Sequence, residues 1–199
     1  REHASITGIF KEAKGWSLAA VMATYFLGTM AFSLLTATYP LFTNRRFGYH
    51  ATQNGYIFAG QGILGAIIQG GLLGWLLRIF SDKGLVVMGT IVLAAGLLAL
   101  PTSATLTTLL MATAAIAVGH SFMAAPLSGL ASKRVSAASQ GRMLGLLQST
   151  ASLARIAGPV LGGWLLSHDV ASPLAQFGTT PYWTSSAIML AALVCAVVL

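Results

Sequence analysis

Six stretches of this chain approach the ~20 apolar residues that cross a bilayer, and no other property constrains its fold as tightly. They run roughly over 16–39, 53–79, 84–100, 106–131, 143–166 and 182–199. In lipid an open strand cannot satisfy its backbone N–H and C=O groups, so each run is predicted to be a helix. The expected fold class is an all-α membrane protein, a bundle of six transmembrane helices. Pro40 and Pro101 are expected to end the first and third helices. The loops are short, so sequence neighbours are predicted to pack antiparallel. Residues 1–15 form either a cytoplasmic linker or a short interfacial helix, with Ile6, Ile9 and Phe10 against Lys11, Glu12 and Lys14. The chain opens on Arg1 and stops at Leu199 inside an apolar run, so it is expected to be a piece of a longer protein, cut at both ends.

Charge fits this reading. Only 8% of the residues are charged, against about 25% in soluble domains. A net charge of +7 would suggest nucleic acid in a soluble protein. Here the positive residues lie between apolar runs, where they orient helices, so no nucleic-acid partner is expected. Arg1, Lys11 and Lys14 precede the first run, Arg78 and Lys83 follow the second, and Lys133, Arg134 and Arg142 follow the fourth. All fall on one side, predicted to be cytoplasmic along with the N-terminus. Arg45 and Arg46 dissent from the other side. The loop basics can also meet anionic lipid heads, at about 1 kcal/mol each. The single Cys195 excludes a disulfide within the chain, and no metal-ligand spacing occurs.

The fifth run, GRMLGLLQSTASLARIAGPVLGGWLL (141–166), carries Arg155 near its middle. Its distance from Met143, roughly 18 Å along the helix, puts it near the bilayer midplane. A charge there costs ~3 to ~10 kcal/mol and usually faces a bundle interior or a watery cavity. Helical spacing places Gln148, Ser152, Arg155, Pro159 and Gly162 on one polar, small-residue face, with Leu146, Leu153, Val160 and Leu161 behind. Two roles are open to Arg155: a cavity group binding an anion or carboxylate, or a structural group pinned to carbonyls. The chain offers it no embedded acid, since Asp82 and Asp169 lie in loops.

Other polar residues sit inside apolar runs. Gln61 can donate to a substrate or to a neighbouring helix. Gln69, beside Gly70 and Gly71, reads as a helix–helix contact worth about 0.6 kcal/mol. His120 is either a proton relay or a neutral hydrogen-bonded ring. Tyr25, Phe26, Phe32 and Ser33 can line a cavity or face lipid. Gly62, Gly65, Gly70, Gly71 and Gly74 are expected to let helices approach closely, as are Gly158, Gly162 and Gly163 around Pro159.

At this point the residues resemble a known family. FAGQGILGAIIQGGLLGWLLRIFSDKG (58–84) resembles the eighth helix and following loop of major facilitator superfamily transporters. Of the loop signature, Gly74, Arg78, Asp82, Lys83 and Gly84 remain, with Arg78 where the N-terminal signature has its Asp, which weakens any gating role. GPVLGG (158–163) resembles the Gly-Pro signature of antiporter helix five, repeated in helix eleven. SKRVSAASQGRMLGLLQSTASLARIAGP (132–159) looks most like the drug-exporting, tetracycline-resistance-like branch. The resemblance implies the C-terminal six-helix half of a twelve-helix transporter. It implies a small-molecule substrate, surrounding lipid, and an N-terminal half as partner. It also implies a proton gradient rather than a cofactor as driving force, a bacterial inner membrane, and alternating access around a midplane cavity. Substrate-pathway candidates are Arg155, Gln148, Ser152, Gln61, Tyr25, Phe32 and His120.

Other functions are weighed against this. A sugar or small-metabolite permease keeps the fold and changes the cargo. A lone half can serve as a non-transporting scaffold. An intramembrane protease needs G-x-S-G; the nearest match, Pro126-Leu127-Ser128-Gly129, lacks the first Gly, and its possible base His120 lies on the same helix.

Overall fold

The computed structural model describes residues 15–199. The proposed interfacial helix at residues 5–15 therefore falls, except for Gly15, outside the described residues. Six long helices follow in order. They are α1 (Gly15–Phe47), α2 (Ala51–Ile79), α3 (Asp82–Ala99), α4 (Leu106–Lys133), α5 (Gln140–His168) and α6 (Thr179–Val197). Their boundaries lie within a few residues of the apolar runs, with one exception. α1 does not stop at Pro40 but continues to Phe47. Phe42 and Thr43 beyond the proline are fully buried, and the Phe42 ring meets Tyr182 edge-on at 5.1 Å. This packing outweighs the one backbone hydrogen bond that proline removes, which membrane helices commonly tolerate.

Among the described residues five spans are long and apolar enough to cross a membrane: Leu18–Phe47, Ala51–Ile79, Asp82–Thr102, Leu106–Lys133 and Leu174–Val197. α5 matches them in length but is diluted by Arg142, Gln148, Ser149, Ser152 and Arg155. α2 carries a π-turn at Ile68–Leu72, over the Gly70-Gly71 pair.

The expected pairing of sequence neighbours holds only for α3 and α4. The other close pairs are α1 with α5, and α6 with both α3 and α1. Small residues decide these partners. A Cβ on Gly119 of α4 would lie 2.4 Å from the Leu93 backbone nitrogen, and one on Gly89 of α3 would lie 2.7 Å from the Gly119 carbonyl. Gly158 and Gly162 do the same between α5 and α1: their Cβ positions fall 2.8 Å from the Met30 carbonyl and 2.9 Å from Thr38 Cγ2. Rising numbers on α5 meet rising numbers on α1, so these two run parallel. The glycines of α2 behave otherwise. Among the described residues a Cβ on Gly62, Gly70, Gly71, Gly74 or Gly163 would meet nothing within 4 Å, while one on Gly65 would make only ordinary contacts. Close packing within this bundle falls to Gly89, Gly96, Gly119, Gly158 and Gly162 instead.

α5 presents three faces rather than two. Met143, Leu147, Ala151, Ala154, Gly158 and Gly162 form its buried strip. Gln148, Ser152, Arg155 and Pro159 share an exposed face as predicted, but Gly162 leaves that face for the α1 interface. Leu153, Ile156, Val160 and Trp164 form an exposed apolar face.

Polar groups fix the two ends. At one end Asp82, in the first turn of α3, pairs with Lys133 at the end of α4 (2.5 Å), and Ser81 caps α3 by accepting from the Gly84 N–H. At the other end the dissenting arginines act as staples. Arg46 donates to the carbonyls of Pro101, Ala175 and Ser103, and Arg45 donates to that of Val170. Charge-assisted bonds to loop carbonyls explain why two cations sit at the end with few others. Nearby, buried Asp169 accepts from the N–H groups of Gly178 and Thr180 and from the Thr180 hydroxyl. Its negative charge sits where the helix dipole of α6 favours it. Gly178 turns the chain there with φ +88°, a left-handed conformation suited to glycine.

Candidate functional site

α1, α2 and α4 line an open cavity of about 380 Å³ midway along their length. Phe32 and Thr36 come from α1, Phe58, Gln61 and Gln69 from α2, and His120 and Ser121 from α4. The His120 ring stacks on Phe32 with centroids 4.0 Å apart. Gln69 Nε2 donates to Ser121 Oγ at 3.4 Å. Gln61 differs: its Nε2 is buried with no hydrogen-bond partner among the described residues. Such a group costs free energy until something accepts its hydrogen. Gln61 also borders a second cavity of about 490 Å³, toward the arginine-stapled end between α2 and α4. Tyr49, Gln53, Tyr56 and Thr113 supply polar groups to its mostly apolar wall. One amide therefore stands between an outer vestibule and a central chamber.

Arg155 lies beside this chamber. The hydroxyl of Ser33, next to Phe32, donates to the Arg155 carbonyl at 3.4 Å. The guanidinium is close enough to the His120 ring to act on it electrostatically. Its side chain is exposed, and no carboxylate stands in the membrane-embedded part of the described residues, Asp82 and Asp169 being at helix ends. Gln148 and Ser152 extend the same exposed face, with the Ser152 hydroxyl turned back onto the Gln148 carbonyl.

The structure thus gathers Phe32, Gln61, Gln69 and His120 around one space, with Arg155 alongside. Tyr25 is not among its lining residues and packs on the core instead. Gly158 and Gly162 hold α5 against α1, whereas Gly70 and Gly163 face open space. Of the loop signature, Asp82 binds Lys133, while Gly74, Arg78, Lys83 and Gly84 are exposed. Sequence reasoning missed Thr36, Phe58 and Ser121. Phe58 was detectable: Phe58, Gln61, Gly65 and Gln69 recur at helical spacing on one face of α2. Ser121 was not, because only the fold brings it opposite Gln69.

Comparison with known proteins follows the same lines. The chain matches the sequence model of the Major Facilitator Superfamily over residues 21–199. It is 28% identical over 151 residues to the class D tetracycline resistance protein of Salmonella ordonez, covering 76% of this chain and 38% of that protein. Against the class H tetracycline resistance protein of Pasteurella multocida it is 29% identical over 167 residues, covering 84% and 40%. The chain therefore spans about two-fifths of the curated relatives it matches. Among solved structures it superposes on the human organic anion transporter MFSD10 (TETRAN) with a TM-score of 0.79, at 24% identity, covering 90% of this chain and 40% of that one. The helical bundle is that of one half of such a fold. An apolar six-helix architecture and a family match over nearly the whole chain lead to one conclusion: this is an integral membrane protein that belongs to the Major Facilitator Superfamily, a family of transporters and not of enzymes.

Proposed function

We propose that the chain is the C-terminal half of a secondary active transporter that exports small amphipathic, drug-like molecules in exchange for protons. Its partner is the N-terminal six-helix half of the same transporter, and the membrane is the bacterial inner membrane with residue 1 on the cytoplasmic side. The observation that carries the reading is the central chamber, an aromatic and amide-lined space with Arg155 exposed beside it. Mostly apolar walls with a few placed polar groups suit an amphipathic ligand better than a polyhydroxylated sugar. The names of the tetracycline resistance relatives supply the drug-like cargo. In this reading the exposed faces of α2 and α5 meet the other half, and the two halves rock about the chamber. Pairing of Asp82 with Lys133 keeps α3 and α4 together at the cytoplasmic end during that motion.

The test uses the full-length protein in inverted membrane vesicles. Acidifying the vesicle interior should drive tetracycline accumulation, and collapsing the pH gradient with nigericin should stop it. Accumulation that ignores the gradient contradicts proton exchange, and no accumulation of any amphiphile favours a non-transporting scaffold.

A further inference from the structure

The inward stripe of α2 has a break in its spacing. Asn54, Ile57, Gln61, Leu64 and Ile68 are buried or half-buried and follow steps of three and four, which keep side chains on one face. The next buried residue is Leu73, five positions on, followed by Leu76. In an unbroken α-helix that extra position turns the stripe off its face by about 100°. The π-turn at Ile68–Leu72 takes up the extra residue and returns Leu73 and Leu76 to the face of Ile68. All three pack there with Leu85 of α3 and Phe122 of α4. Single-turn insertions of this kind recur at functional segments.

The same residues allow a second solution. With no π-turn, α-helical spacing from Ile68 brings Leu72 and Trp75 onto that face in place of Leu73 and Leu76. Either register buries two large apolar side chains and turns two outward. At present Leu73 and Leu76 are 7% and 8% exposed, Leu72 and Trp75 40% and 57%. Exposed Arg78 would take the place of Ile79, which is exposed too, so neither register buries the charge. Gly70, Gly71 and Gly74 have open space around them and leave the turn unobstructed. The other end of α2 is fixed in rotation, because buried Asn54 accepts from the Thr43 hydroxyl at 2.7 Å.

We propose that residues 72–79 of α2 switch between these two registers, the extra residue leaving the π-turn toward the Phe80–Ser81 joint as the segment rotates by about 100°. The switch itself needs only the fold. Its place in a transport cycle rests on the transporter reading above, where it changes the face that the Arg78 end of α2 presents while the Asn54 end stays fixed.

Spin labels on Arg78→Cys and Gly145→Cys, both exposed positions, report the rotation by double electron–electron resonance. The protein is full-length, freed of native cysteines and held in nanodiscs. Side chains reach ~5–6 Å from a helix axis, so the rotation moves the α2 label by roughly 8 Å, whereas rocking of whole halves leaves this distance unchanged. Two distance populations are expected. Leu73→Ala weakens the present register and should raise the ratio of the second population to the first by about tenfold or more. Leu72→Ala weakens the second register and should lower that ratio. Deleting Gly71 removes the extra residue, so only the present distance should remain and efflux should be lost. A single population in all of these sequences, or the same response to both leucine variants, overturns the two registers. A Gly71 deletion that exports normally overturns their part in the cycle, and if that variant fails to fold, the opposed leucine responses decide. Two populations in a protein that exports nothing support the switch and overturn the transporter reading.

Discussion

In the full-length transporter, Arg155→Gln and Arg155→Lys are both expected to abolish proton-driven efflux while protein level in the membrane stays normal. A charge at this depth persists only where it is matched. Within this half its guanidinium has no acid partner in the membrane and no hydrogen bond among the described residues. In the proposed transporter its match comes from the cargo or the other half. Removing one member of a buried charge pair costs at least ~2 kcal/mol, so efflux should fall by roughly thirtyfold or more. Lysine fails too, because a point charge on a flexible stem does not reproduce a planar fork of donors. Vesicle efflux assays beside quantitative immunoblots separate the readings. Wild-type transport in either variant would exclude the cavity role, and loss of protein would assign Arg155 to structure.

The second large effect is on folding. Gly119→Leu should eliminate the monodisperse full-length protein in detergent, read by fluorescence-detected size exclusion. The added Cβ would fall 2.4 Å from a backbone nitrogen of α3 and 2.8 Å from the Gly89 carbonyl. Neither is the far end of a flexible side chain, so α3 and α4 must separate. Overpacking a core already costs ~1–3 kcal/mol where side chains can shift. Gly129→Leu, on the same helix but with nothing within 4 Å, is the control and should fold normally. Equal behaviour of the two variants would show that the α3–α4 crossing is not set by glycine.

The helices were legible in the sequence because bilayer physics demands long apolar runs and little else. Their pairing was not. Gly89, Gly119 and Gly158 are ordinary glycines in a glycine-rich chain until the fold shows which backbone each one faces. The α2 glycines, read as packing residues, have open space instead. Pro40 misled for a similar reason: its local cost is real, but Phe42 and Tyr182 meet only through tertiary packing. For the site, the sequence exposed the isolated polar residues Gln61, His120 and Arg155, since polar groups inside apolar runs stand out. It could not reveal that Phe32 stacks on His120, nor that Gln61 is shared by two cavities, because those contacts join three helices. Arg45 and Arg46 contradicted the charge bias in sequence and were explained only by the loop carbonyls they bind.

In the proposed transporter the space between α1, α2 and α4 is the substrate pathway. Cysteine accessibility tests it most directly. In a full-length protein freed of native cysteines, Gly62→Cys on the chamber wall should react with a membrane-impermeant maleimide, and bound cargo should slow that reaction. Leu98→Cys, exposed on the outer surface of α3, should remain unlabelled in lipid. Labelling of Gly62→Cys that cargo protects is the predicted result. A Gly62→Cys that never reacts, or reacts at the same rate with cargo as without, would contradict the account.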